Sequence, residues 1–179
     1  GFNLMTTIAL AGTLTALGLT LGISWAFFEL AEFSGYASEE SFVLPFLAES
    51  LDVRGLLLGG TIIAALGALD DVTVTQTATV LELSRRNSAL SSGQLAISAL
   101  RVGREHIAST VNTLLLAYAG SSIPLLLLFA VSKQSLAEVA NSEVIAIELV
   151  RTLCGSIGLV AALPITTYLA AFLTRISEE

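Results

Sequence analysis

Charge is what this sequence has least of. Asp, Glu, Lys and Arg make up 13% of its 179 residues, where a soluble domain carries about 25% because its surface must be hydrated. Cysteine occurs once, at Cys154, so no disulfide can close within the chain, and a buried structural thiol is the expected role. Histidine also occurs once, at His106, and lysine once, at Lys133. With no Cys cluster, no Ser-His-Asp pattern and no phosphate loop, the sequence predicts no enzyme, no cofactor and no metal site. The eight Lys and Arg form no long cluster, so no nucleic-acid partner is expected. Period-two alternation is absent too, which argues against a membrane β-barrel.

What the chain has instead is apolar length. Hydrophobic residues make up 54% of it, and its mean hydropathy is +0.83. No charged residue occurs from Gly1 to Phe28, from Ile107 to Ser132 or from Thr152 to Thr174. About 20 apolar residues suffice for a helix to cross the hydrocarbon layer. A fourth run, Gly55 to Leu81, is interrupted only by Asp70 and Asp71. Lipid leaves no water for unsatisfied backbone groups, so continuous runs of this length predict helices. The expected architecture is an all-α, polytopic membrane bundle of about four helices in two hairpins, spanning 6–30, 53–83, 107–132 and 147–174. Gly18 with Gly22, Gly55 with Gly59, and Gly155 near Gly158 are spacings that let helices approach closely. The start, Gly-Phe-Asn, lacks an initiator Met, a basic n-region and an obvious cleavage site. It reads as part of a longer chain, not as a signal peptide.

The connections differ in charge. Glu29, Glu32, Glu39, Glu40, Glu49 and Asp52 precede or fill the first, against Arg54 alone. Arg85, Arg86, Arg101, Arg104 and His106 fall in the second, and Lys133, Glu138, Glu143, Glu148 and Arg151 in or near the third. With Arg175, the central loop side holds five Lys and Arg against three, which predicts that the central loop and both termini are cytoplasmic in a plasma-membrane protein. Ser91 and Gln94 have capping-box spacing, and Leu95, Ala99 and Val102 recur at helical intervals. They predict an interfacial helix over about 92–105, the alternative being a solvated loop. Offset by 97 residues, Val53, Arg54, Leu56, Ala64, Ala65 and Leu66 match Val150, Arg151, Leu153, Ala161, Ala162 and Leu163, the pattern of a parallel repeat. Trp25, Phe27 and Phe28 read as an interfacial aromatic belt. Arg151 with Glu148, and Arg54 with Asp52, read as local ion pairs.

Asp70 and Asp71 are the most informative pair. They lie some 16 residues inside the second helix, about 24 Å along it at helical rise. A carboxylate there costs about 3 kcal/mol on insertion scales, so such groups usually face a bundle interior or a wet cavity. Burial and mutual repulsion favour the neutral form, which suits a group that exchanges protons. Thr73, Thr77 and Val80 follow on about the same face as Asp70, with Thr75 and Gln76 extending the polar set. Asn112 and Thr113 are expected to enter from the third helix. Counting inward from the cytoplasmic ends puts Tyr118 and Pro164 near the level of Asp71, and Thr166 and Thr167 slightly below. Adjacent residues on a helix diverge by about 100°, so the two Asp cannot form an aspartyl-protease dyad. His106, some 35 residues on, reads as a cation at the membrane edge.

Several blocks resemble the YibE/F-like family of bacterial membrane proteins. They are Leu51-Asp-Val-Arg-Gly-Leu-Leu-Leu-Gly-Gly, Gly67-Ala-Leu-Asp-Asp-Val, Gly103-Arg-Glu-His-Ile-Ala-Ser-Thr-Val-Asn-Thr-Leu, Tyr118-Ala-Gly and Gly158-Leu-Val-Ala-Ala-Leu-Pro-Ile-Thr-Thr. The resemblance implies a membrane protein linked to transport, with no settled substrate, and a longer parent chain. More broadly, Leu69-Asp-Asp-Val in an inward-running helix, followed by an amphipathic link and a hairpin ending near Pro164, is similar to the resistance-nodulation-division permeases. That likeness implies a proton relay at Asp70 and Asp71, although the buried lysine of that relay has no counterpart here. The resulting expectation is a proton-coupled transport component embedded in lipid. Asp70 and Asp71 would be its relay, supported by Thr73, Thr77, Asn112, Tyr118 and Thr167. Because four helices leave little room for a pathway, a homo-oligomer or further helices of the same protein are expected. The alternative is a non-transporting scaffold that uses the acids for helix contacts.

Overall fold

Lipid-spanning length is reached by three single helices and by one bent pair. In the computed structural model the single ones are α1 (Leu4–Leu30), α2 (Val53–Arg86) and α6 (Glu143–Glu178). The pair is α3 (Ser92–Ser121) and α4 (Ile123–Ser132), bent by 47°. A five-residue helix, α5 (Leu136–Ala140), precedes α6. The structure describes residues 4–36, 43, 46, 51–132 and 135–178, and no strand occurs among them. Glu39, Glu40, Glu49 and Lys133 lie outside the described residues.

Local chemistry explains where the helices start and stop. Asp52 caps α2, its carboxylate accepting from the Gly55 N–H at 2.9 Å, so it is a cap and not the partner of Arg54. The Arg54 guanidinium instead donates to the Phe28 carbonyl at 2.8 Å and pairs with Glu29 at 3.3 Å. Ser91 and Gln94 form the predicted capping box at the start of α3. Pro124 lacks an N–H and its ring would clash one turn back, so α3 ends at Ser121 and α4 restarts with Pro124 in its first turn. Pro164 lies inside α6, which continues through it.

The helices alternate in direction. Thr13 of α1 meets Thr73 of α2, and Gly12 and Thr20 of α1 meet Thr166 and Gly158 of α6, so α1 is antiparallel to both. Thr61 and Gln76 of α2 reach Arg151 and Thr167 of α6, so these two run in parallel. They are the two segments related by the offset of 97 residues. Their shared core contains Ala16, Leu69, Leu159 and Ala162. Ile8, Val80, Leu95, Ala99 and Ala170 pack toward the end bearing Arg85, Arg86 and Arg175, here termed the basic end. Phe28, Phe33 and Ile147 pack toward the opposite, acidic end. Phe28 is therefore core, in edge contact with Phe33 at 5.3 Å, while Trp25 and Phe27 are exposed.

Close approach is set by glycines other than most of those expected. A Cβ at Gly12 would strike Thr166, one at Gly158 would strike Thr20, and one at Gly103 would strike Leu163 and Gln76. Gly18, Gly22, Gly59 and Gly155 face open space. Spacing alone does not say which side of a helix its neighbour occupies.

Candidate functional site

The separate interfacial helix expected over about 92–105 is part of α3, which runs unbroken to Ser121. Its first turns are packed in the bundle, with Leu95, Ala96, Ala99 and Gly103 buried. Gly103 can lie against α6 because it has no side chain. This continuity moves charge into the bundle. Gln76 bonds Thr167, so Asp71, five residues earlier on a parallel helix, stands about level with Ala162. Ala162 is near the middle of the charge-free run 152–174. Gly103 packs on Leu163 at nearly the same level, so Arg101, Arg104, Glu105 and His106 sit at mid-bundle and not in a loop.

That placement brings His106 to Asp71. Their Nε2 and Oδ2 atoms are 3.6 Å apart, which corrects the reading of His106 as a distant edge cation. At this separation the pair is too long for a direct hydrogen bond. The Asp71 side chain is 65% exposed and that of His106 40%. Asp70 is also exposed, about 100° around the helix from Asp71. Both acids thus lie on the outer surface of this four-span unit, not in its interior. Arg101, Arg104 and Glu105 are exposed as well. A charge facing lipid at this depth costs about 3 kcal/mol on insertion scales, so the surface calls for water or covering protein.

The supporting polar residues divide into two groups. Thr73, Thr77 and Thr167 are buried, and their burial separates them from the exposed acids. Thr13 and Thr73 hydroxyls share a bond of 2.5 Å, and Thr77 donates to the Thr73 carbonyl. Gln76 donates to the Ala99 carbonyl at 3.1 Å and to the Thr167 hydroxyl at 2.7 Å, tying α2 to α3 and α6. Thr167 in turn donates to the Leu163 carbonyl. Asn112 and Tyr118 do not join this set. Asn112 is exposed on α3. Tyr118 lies twelve residues beyond His106, within electrostatic reach of Arg151 and Glu148, hence toward the acidic end and away from Asp71. There Arg151 and Glu148 form the ion pair their spacing predicts, at 2.8 Å. Pro164 lines a groove of about 510 Å³ with Leu100, Arg104, Val160 and Tyr168. Among the described residues, no three His, Cys, Asp or Glu converge as a metal site would need.

Two of these features escaped the sequence. Gln76 looked like one more polar residue, and only its neighbours make it a junction. His106 was discounted because charges broke the apolar run, although the Ser91 cap and helical periodicity lead straight into it.

Comparison with protein families matches the chain to the YibE/F-like protein family over residues 1–176. The chain belongs to the YibE/F-like family. No curated protein and no solved structure matches it, so the broader likeness to resistance-nodulation-division permeases has no counterpart in these comparisons. Membership and the apolar helices together make this YibE/F-like chain a membrane protein.

Proposed function

We propose that this chain is a transport component that exchanges protons through Asp71 and His106, with Asp70 as a neighbouring acid. The observation that carries this is the 3.6 Å approach of an imidazole to a carboxylate at mid-bundle depth. An imidazole and a carboxylate this close can pass a proton between them. Such a pair gives a membrane protein a site whose charge follows the proton gradient. The exposed acids further support an assembly, with a second copy or other helices of the protein covering this face. Its setting would be the plasma membrane.

The test is proton flux into vesicles containing the purified full chain under an imposed pH gradient, read with a trapped pH dye. Asp71→Asn and His106→Gln should each lower the flux by about tenfold or more, the lower range for a positioned acid or base, without loss of membrane insertion. Undiminished flux in the Asp70→Asn, Asp71→Asn double variant would reject the proposal. A scaffold role is the second reading, favoured by the outward position of both acids, where a neighbouring helix could seat. It expects the double variant to lose assembly with its partner, seen as a smaller complex in detergent, with no change in proton flux.

A further inference from the structure

We infer that the outer faces of α2 and α3 form a one-ended polar lane, which carries water from the basic end to Asp71 and His106. The inference rests on the reading of that pair as the proton-exchanging site and adds the side from which it is reached.

On α2, Asp71, Thr75, Thr79 and Glu82 recur at intervals of four, four and three, so they lie along one side of the helix. Thr75 and Glu82 are exposed and Thr79 is half-buried. The stripe ends at the basic end, where Glu82 pairs with Arg86 at 2.6 Å. On α3, Ser98, Arg101, Glu105 and Ser109 repeat at three to four residues, and Asn112 extends the series. All but the half-buried Ser98 are exposed. The two helices are antiparallel neighbours, brought together by Gln76 with Ala99 and by Asp71 with His106, so the stripes border one seam. From Glu82 to Asp71 the seam is about 16 Å long.

Toward the acidic end the same sides change character. Above Asp71, α2 continues with Gly67, Ala64 and Gly60, all exposed. Beyond Asn112, α3 continues with Leu115 and Leu116, also exposed. Hydroxyls and charges therefore line chiefly the half between the basic end and the Asp71–His106 pair, with Ser109, Asn112 and Thr113 continuing on α3 for about two turns past it. Small and apolar residues suit close contact with a covering helix. Long charged side chains such as Arg101 and Glu105 resist desolvation and suit water. The His106 Nε2 atom is buried without a hydrogen-bond partner in the protein, so water in the lane meets the exposed Asp71 carboxylate 3.6 Å away and not this nitrogen. The lane is wet below the pair and sealed above it.

Single cysteines in the full chain, with Cys154 replaced by Ala, test this. Thr75→Cys and Ser98→Cys sample the lane, Ser109→Cys its closed end just past the pair, Ala64→Cys the sealed half, and Leu153→Cys a face of α6 turned outward. A charged, membrane-impermeant methanethiosulfonate is applied to vesicles of either orientation. The lane cysteines should react only from the side bearing residues 87–91, about tenfold or more faster than the other two, because a thiol in hydrocarbon stays protonated. Reaction no faster than at Leu153→Cys, or equal reaction from both sides, overturns the lane. Copy-to-copy disulfides at Ser98→Cys or Ser109→Cys also overturn it, since they place a second chain against the stripe. Labelling reads water and not proton flux. Accessible cysteines with Asp71-independent flux reject the proton pair alone, whereas Asp71-dependent flux with unlabelled cysteines rejects the lane alone.

Discussion

Gln76 is the side chain on which three helices converge, and its loss should be felt throughout the bundle. Gln76→Leu removes both bonds, while the Ala99 carbonyl keeps its helical partner and Thr167 its bond to Leu163. Two lost bonds at about 0.5–1.5 kcal/mol each come to about 1–3 kcal/mol, so thermal stability in detergent should fall by that amount, and an unchanged melting temperature would refute the junction role. Gly158 makes the complementary case by what it lacks. Gly158→Val places methyls where Thr20 already sits, and overpacking of this kind costs about 1–3 kcal/mol. Gly120→Ala, which meets open space, should leave stability unchanged in the same assay. Equal effects from the two substitutions would mean that helix approach is not limited at Gly158.

Among the elements, the turn that follows α1 is tied to α6 by one carboxylate. Glu143, in the first turn of α6, accepts from the Ser34 and Gly35 N–H groups at 2.7 and 3.0 Å and from the Ser34 hydroxyl. Gly35 has φ +83°, a left-handed conformation that favours glycine and turns its N–H toward the carboxylate. The negative charge also suits the N-terminus of α6. Glu143→Ala should destabilise the bundle by about 1–3 kcal/mol, with Glu143→Gln recovering part because its carbonyl oxygen still accepts. Denaturation midpoints for the two variants decide this, and equal midpoints for Ala and wild type would rule it out. The continuity of α3 matters more for function. By carrying the helix through Gly103 and His106 without a break, it delivers an imidazole to α2 that a surface helix would have kept away.

For the whole molecule, the same continuity changes the argument about orientation. Arg101 and Arg104 no longer count as loop residues, so Arg85, Arg86 and Arg175 at one end balance Arg54, Lys133 and Arg151 assigned to the other. Three against three gives no bias of the kind that orients membrane proteins. Arg85→Gln together with Arg86→Gln leaves one against three, so it should shift chains toward the inverted orientation, seen as reaction of Asn87→Cys from the opposite side of the membrane to that of the unsubstituted arginines. Reaction from an unchanged side would mean that orientation is set elsewhere in the protein. The belt of exposed charges around Asp71 has a second consequence at this scale. A single helix bundle of this kind cannot present it to lipid without a large penalty, which is the physical ground for proposing an assembly.

The sequence by itself determined that this is a helical membrane protein, which stretches are apolar enough to cross a bilayer, and that Asp70 and Asp71 lie deep along one of them. Those properties are local, because hydrocarbon selects for length, apolar character and internally bonded backbone, all of which are written along the chain. Only the tertiary structure decided that the two acids face outward, that Thr73, Thr77 and Gln76 form a separate dry junction, and that His106 stands beside Asp71. It also chose Gly12, Gly103 and Gly158 as the points of close approach and returned Phe28 to the core. Each of these depends on which neighbour covers which side of a helix, and residues 35 or 90 positions apart in the chain carry no local mark of that choice.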